Sequence, residues 1–211
     1  FLAQSQLRAY QSALKESGEN SANHLVLARH HFELMYQNNP RDIAAIVMLY
    51  YLDQHHLPQL QQYHDWLAIL EELARDRPLQ ASDITALEVL VDCYIADACG
   101  AEGARLLALF DGLQTRYAGR VDLALMRYRL LKKAGAPLAE RLALLDNLRS
   151  QSPADVRTYQ TLLAEYVAAG DISGQYETVK EWMRHDPGRR QLGAIRRLFV
   201  QPDEAPVVAA P

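Results

Sequence analysis

Cysteine is nearly absent: the 211 residues hold two, Cys93 and Cys99. That excludes a disulfide-stapled scaffold and a four-cysteine zinc site. Six residues apart on a helix, the two thiols lie on different faces, so both read as buried free thiols. No run of about 18 apolar residues occurs, so no segment is built to span a membrane. No basic-then-apolar leader opens the chain. Residue 1 is Phe rather than Met, which reads as a processed or excised piece of something longer, with a missing signal peptide or membrane anchor left open. Both cytoplasm and periplasm stay open as compartments.

A large charge excess is missing too. Lys and Arg number 22 against 26 Asp and Glu, a net −4. The chain as a whole has no electrostatic reason to bind nucleic acid. Catalytic signatures are equally scarce. There is no Gly-x4-Gly-Lys-Ser/Thr loop, no Gly-x-Gly-x-x-Gly after a strand, no Gly-x-Ser-x-Gly elbow and no His-Glu-x-x-His. Strictly alternating Val/Ile/Thr clusters are lacking, which argues against strands.

What is present is helix-type spacing. Leu87, Leu90, Val91 and Tyr94 form one stripe; Trp66, Leu67, Leu70 and Leu73 form another; Leu138, Leu142, Leu145 and Leu148 form a third. The breakers predict helices at about 2–17, 23–38, 42–57, 59–75, 83–98, 101–117, 121–134, 138–150, 155–169, 172–185 and 189–199. Asp83 and Asp155 are placed to cap helix starts. Gly100, Gly135 and Gly170 close helices, and Pro40, Pro78, Pro153 and Pro187 sit just past helix ends. At 49% hydrophobic and 23% charged residues, the chain can build one elongated domain or two small compact ones. The preferred division is a helical domain over 1–200 and an unstructured Pro/Ala-rich tail over 201–211.

The breakers also repeat. Gly119 to Pro153 and Pro153 to Pro187 are each 34 residues, while Pro40 to Pro78 and Pro78 to Gly119 are 38 and 41. In 156–189, Tyr159, Leu162 and Tyr166 occupy large, medium and large positions of a first helix. Gly170-Asp171 makes the turn, Trp182 lies in the second helix and Asp186-Pro187 closes the unit. In 9–40, Ala28, Phe32 and Pro40 match the second-helix half. In 122–153, Leu125, Tyr128, Leu142 and Leu148 fall at core positions. On these residues the chain resembles the tetratricopeptide-repeat (TPR) family over roughly 5–190. Gln175 departs from it, standing where the family has a small residue such as Ala.

The resemblance implies an all-α, right-handed superhelical solenoid of about five antiparallel helix pairs. A C-terminal capping helix at 189–199 would turn Leu192, Ile195 and Leu198–Val200 inward. It implies a protein-interaction scaffold or adaptor, with a peptide or partner protein in a concave groove. It also suggests a bacterial multiprotein envelope, secretion or exopolysaccharide assembly as the setting, and no enzymatic activity. First helices line such a groove, so Arg127, Lys133, Arg157 and Gln160 are the candidate contacts for an acidic peptide or a C-terminal carboxylate. The competing readings are a self-associating homo-oligomeric module and an enzyme on a helical-repeat frame.

Other clusters are weaker. Six of the seven histidines precede residue 65, and His31 and His56 with Asp53 are a conceivable metal set. Adjacent histidines point about 100° apart on a helix, so surface and groove imidazoles are the preferred reading, with no metal and no cofactor expected. Glu71 with Glu72, and Asp92 with Asp97, read as solvated helix faces rather than acid/base pairs. Arg189, Arg190, Arg196 and Arg197 read as a solvated capping face rather than a lipid or nucleic-acid site. Tyr50, Tyr51 and Tyr63 near Trp66 read as core.

Overall fold

The computed structural model describes residues 20–57, 64–96 and 103–185, with the side chains of 20–23 and 55–56 left aside. The helices expected at 2–17 and 189–199, the tail from 201, and Gly100, Cys99, Tyr63, Asp97 and Pro187 lie outside these residues. Among the described residues there are nine α-helices and no strand. They are α1 Asn20–Asn38, α2 Ile43–Tyr51, α3 Trp66–Asp76, α4 Ala81–Ile95, α5 Gly103–Arg116, α6 Val121–Lys133, α7 Leu138–Gln151, α8 Val156–Ala169 and α9 Ile172–His185. The chain divides into two compact units, 1–136 and 137–211.

Local chemistry sets the helix starts. Asp42 accepts from the Ala45 N–H at 3.2 Å, Asp65 from Ala68 at 3.0 Å and Asp155 from Arg157 at 2.9 Å. Each satisfies an amide that the first turn leaves without a partner. The helix at 83 starts earlier than its cap residue suggests. Gln80 is the cap, and Asp83 is the third helical residue, reaching back to the Gln80 N–H at 2.7 Å. A carboxylate at that position closes a capping box, which lets the helix begin at Ala81. The helix expected at 42–57 ends differently. After Tyr51 the chain winds through one π-helical turn, Leu52–His56, and the Leu57 N–H bonds the Leu52 carbonyl at 2.8 Å. The helix expected from 59 begins, within the described residues, at Trp66.

In the first unit the helices pack in pairs and in alternation. α2 packs on α4 and α4 on α6, while α3 packs on α5; α2 also meets α1 and α3, and α6 meets α5. Packing between alternate helices is what helix pairs make when each stacks on the next, the TPR-like pairing expected. The resulting core is continuous, running through Phe32, Ile46, Leu49, Leu70, Leu87, Leu90, Leu106, Phe110 and Leu130. Burying each such side chain contributes about 1.5–3 kcal/mol, and most of that burial needs a neighbouring pair.

Polar groups tie the loops of this unit together. Arg77 forks onto Asp83 at 2.7 and 2.9 Å and donates to the Arg41 carbonyl at 3.0 Å. The Tyr117 hydroxyl accepts from Leu79 N–H at 3.0 Å and donates to the Arg77 carbonyl at 3.1 Å. The α1–α2, α3–α4 and α5–α6 loops, every second one along the chain, are therefore cross-linked at one end of the unit.

In the second unit α7 packs on α8 and α8 on α9. Tyr159 and Trp182 stack nearly parallel, 8° apart with centroids at 6.0 Å. Leu145, Leu148 and Leu162 are buried, whereas Leu138 and Leu142 are half-buried, as is Leu125 in the first unit. Gly170 adopts φ +68 and ends α8, with the Asp171 N–H returning to the Tyr166 carbonyl at 2.9 Å. The departure at Gln175 has a local solution. The small residue that the close helix approach requires is Gly174, one place earlier: a Cβ there would lie 2.5 Å from Tyr166 Cε1. Gln175 stays half-buried at the edge.

Candidate interaction surfaces

The first unit carries an open groove of about 640 Å³ between α3 and α5. Its α3 wall is Glu71, Ala74 and Arg75, and its α5 wall runs from Ala104 to Arg116. Along α5, Ala104, Ala108 and Gly112 recur every fourth residue and so share one face; all three are exposed. Leu109 and Leu113 are turned into the core beneath them. A Cβ added at Gly112 meets nothing within 4 Å. A mid-helix glycine costs about 0.5–1 kcal/mol against alanine, and among the described residues none packs into the space it leaves.

The groove's polar residues are chiefly basic. Arg105 bonds Asp65 at 3.1 Å and lies 3.7 Å from Glu71, so the wall's single carboxylate is balanced. The Arg105 guanidinium also helps hold the Asp65 carboxyl below its usual range, as does the Ala68 N–H. Arg116 donates to the Ala74 carbonyl at 3.1 Å and lies over the Tyr117 ring. Arg75 donates to the Glu71 carbonyl at 3.2 Å. Among the described residues, neither Arg75 nor Arg116 has a carboxylate partner. The wall thus sets three arginines against Glu71.

The candidate contacts read from the sequence fall in separate units. Arg127 and Lys133 are on α6 of the first unit. Arg127 is half-buried and paired with Asp111 on α5. Lys133 is exposed and donates to the Ile95 carbonyl at the end of α4 at 3.0 Å. Arg129, four residues before Lys133 and on the same side, pairs with Asp92 on α4. Arg157 and Gln160 are on α8 of the second unit, both exposed. Arg157 folds onto Asp155 at 2.7 Å and holds that carboxyl below its usual range.

Of the conceivable metal set, the His56 side chain lies outside the described residues. Asp53 is fully buried and accepts from Arg29 Nε at 2.6 Å and from Trp66 Nε1 at 3.0 Å. His24, His30, His31 and His64 are exposed. Among the described residues no His/Cys/Asp/Glu group is arranged to hold a metal. Cys93 is a buried thiol, Tyr50 is core and Tyr51 is half-buried. Glu71 lies 3.7 Å from Arg105, and Glu72 is exposed. No described helix is long and apolar enough to cross a membrane.

The groove was not foreseen from the sequence. Its signal was there: small residues at every fourth position of a helix, one of them glycine, with arginines beside them.

No family model matches the chain, and no curated protein matches it. A solved structure titled "MamA RS-1 ArsTM double mutant" superposes with a TM-score of 0.48 at 11% identity, over 90% of this chain and 97% of that one. The helix pairing rests on this chain's own packing.

Proposed function

We propose that this chain is a protein-interaction scaffold that docks a segment of another protein on its paired helices and performs no chemistry of its own. The observation that carries the proposal is the α3/α5 groove, an open trough with a small-residue wall and a basic lining that the described residues leave unfilled. Helix pairs present long surfaces at low cost to the core, because each pair is held by its neighbours. Residues of the first-helix type belong to the same proposal unit by unit: half-buried Arg127 and exposed Lys133 on one, exposed Arg157 and Gln160 on the other. A bacterial envelope, secretion or polysaccharide-export assembly is the setting that the TPR-like pattern favours. The test is capture of a partner by the purified chain, followed by hydrogen exchange on the complex. A partner that slows exchange on these helices supports the reading.

A second reading has its own observation. On α9, Ile172, Tyr176 and Met183 are 74%, 58% and 48% exposed. Their spacings of four and seven residues place them on one side of the helix. An apolar stripe of this kind suits self-association. Light scattering over a concentration series tests it: mass rising with concentration in the parent and constant in Tyr176→Glu supports an oligomer built on this stripe.

A further inference from the structure

If the chain is a scaffold of this kind, the groove itself specifies the chemistry of its partner. Resting on that reading, we infer that the α3/α5 groove takes an acidic amphipathic helix of a partner protein. The α5 wall from Ala104 to Arg116 rises about 18 Å, or some three helical turns. Ala104, Ala108 and Gly112 bring no side chain beyond a methyl to that wall, so a second helix can approach with its axis close to α5. The open space over Gly112 is where the closest approach falls. This is the helix-in-groove mode, in which apolar anchors three and four residues apart enter the trough.

Charge selects among such helices. Arg75 and Arg116 engage backbone carbonyls and lack a carboxylate partner among the described residues. A guanidinium whose fork is only partly used accepts a carboxylate side by side. A helix carrying Glu or Asp beside its small apolar stripe meets both arginines, whereas a basic helix is repelled. An extended peptide gains less, because neither wall offers a free sheet edge.

The test is selection from a displayed library of helix-forming peptides of about four turns against the immobilised full chain. The selected peptides are then titrated by fluorescence anisotropy. Gly112→Leu fills the trough; a Cβ there meets nothing within 4 Å, so the variant is expected to fold, and a melting temperature at or above the parent's is the control. Arg75→Glu/Arg116→Glu reverses the charge. The expected result is enrichment of acidic sequences that become helical on binding, weaken in raised salt, and lose about tenfold or more in affinity for each variant. No enrichment, enrichment without an acidic bias, or equal binding by Gly112→Leu overturns the inference. Binding that persists in both variants while exchange slows on α6 or α8 overturns it and leaves the scaffold reading standing. The scaffold reading falls on a different result: a chain that captures no partner protein at all.

Discussion

Arg29 Nε meets Asp53 Oδ1 at 2.6 Å across 24 residues of sequence, with both side chains buried. The pair joins α1 to the π turn that ends α2, and Trp66 Nε1 supplies a third contact to the same carboxylate from the start of α3. Removing Asp53 leaves the buried Arg29 guanidinium with Glu33 alone, 3.1 Å away. Asp53→Ala is expected to cost about 3–5 kcal/mol in urea unfolding. Arg29→Met/Asp53→Leu, which removes both charges, is expected to cost clearly less. The double variant still leaves the indole N–H without its acceptor, which costs about 1–3 kcal/mol. A double variant less stable than Asp53→Ala contradicts this account.

Two glycines in helices are expected to respond to alanine with opposite signs. At Gly174 the added methyl falls on the Tyr166 ring, 2.8 Å from Cγ. The crowding is expected to cost about 1–3 kcal/mol despite the better helix propensity. At Gly112 the methyl enters open space, and the expected change is a gain of about 0.5–1 kcal/mol. Thermal or urea unfolding of the two variants reads both.

Acid is expected to loosen two helix starts. Asp65 and Asp155 are held below the usual carboxylate range, chiefly by hydrogen bonds from Arg105 and Arg157. A carboxyl depressed in the folded state contributes stability that is fully present above its unfolded value, about 3.9. That stability is lost as pH falls through the lower folded value. Asn at either site keeps a capping oxygen and loses the charge. Thermal melts are expected to show Asp65→Asn and Asp155→Asn below the parent at neutral pH, with the gap closing well below pH 4. A gap that widens in acid contradicts the assignment.

The α6 and α8 cations are tested separately because they belong to different units. Arg127→Glu/Lys133→Glu and Arg157→Glu are each expected to weaken a captured partner about fivefold and to flatten its salt dependence, the scale of partly exposed charges. Each variant also loses an intramolecular contact, to Asp111, the Ile95 carbonyl or Asp155, so melting temperature is measured alongside. Unchanged affinity removes those residues from the binding surface.

Helix periodicity made the fold legible. Stripes such as Leu87, Leu90 and Val91 repeat once per turn, and those three residues are buried. Gly135 and Gly170 take positive φ at helix ends as their positions suggest. What escaped was chemistry that depends on three-dimensional neighbours. The π turn at Leu52–His56 has the composition of an ordinary helix end. Asp53 sits beside histidines in sequence, yet Arg29 and Trp66 are its partners in space. The start at Ala81 depends on a side chain bonding backward, which spacing alone does not reveal. The candidate surface was less legible still. Cationic side chains stand out in a sequence, whereas a trough made by Ala104, Ala108 and Gly112 is visible only once α3 lies alongside α5.

Hydrogen exchange on the chain, free and bound to a captured partner, tests the central claim most directly. The account predicts a near-stoichiometric complex in which amides of α3 and α5 exchange more slowly, an effect weakened in Gly112→Leu. A chain that yields no complex, or a complex whose partner leaves exchange unchanged on every described helix, contradicts it.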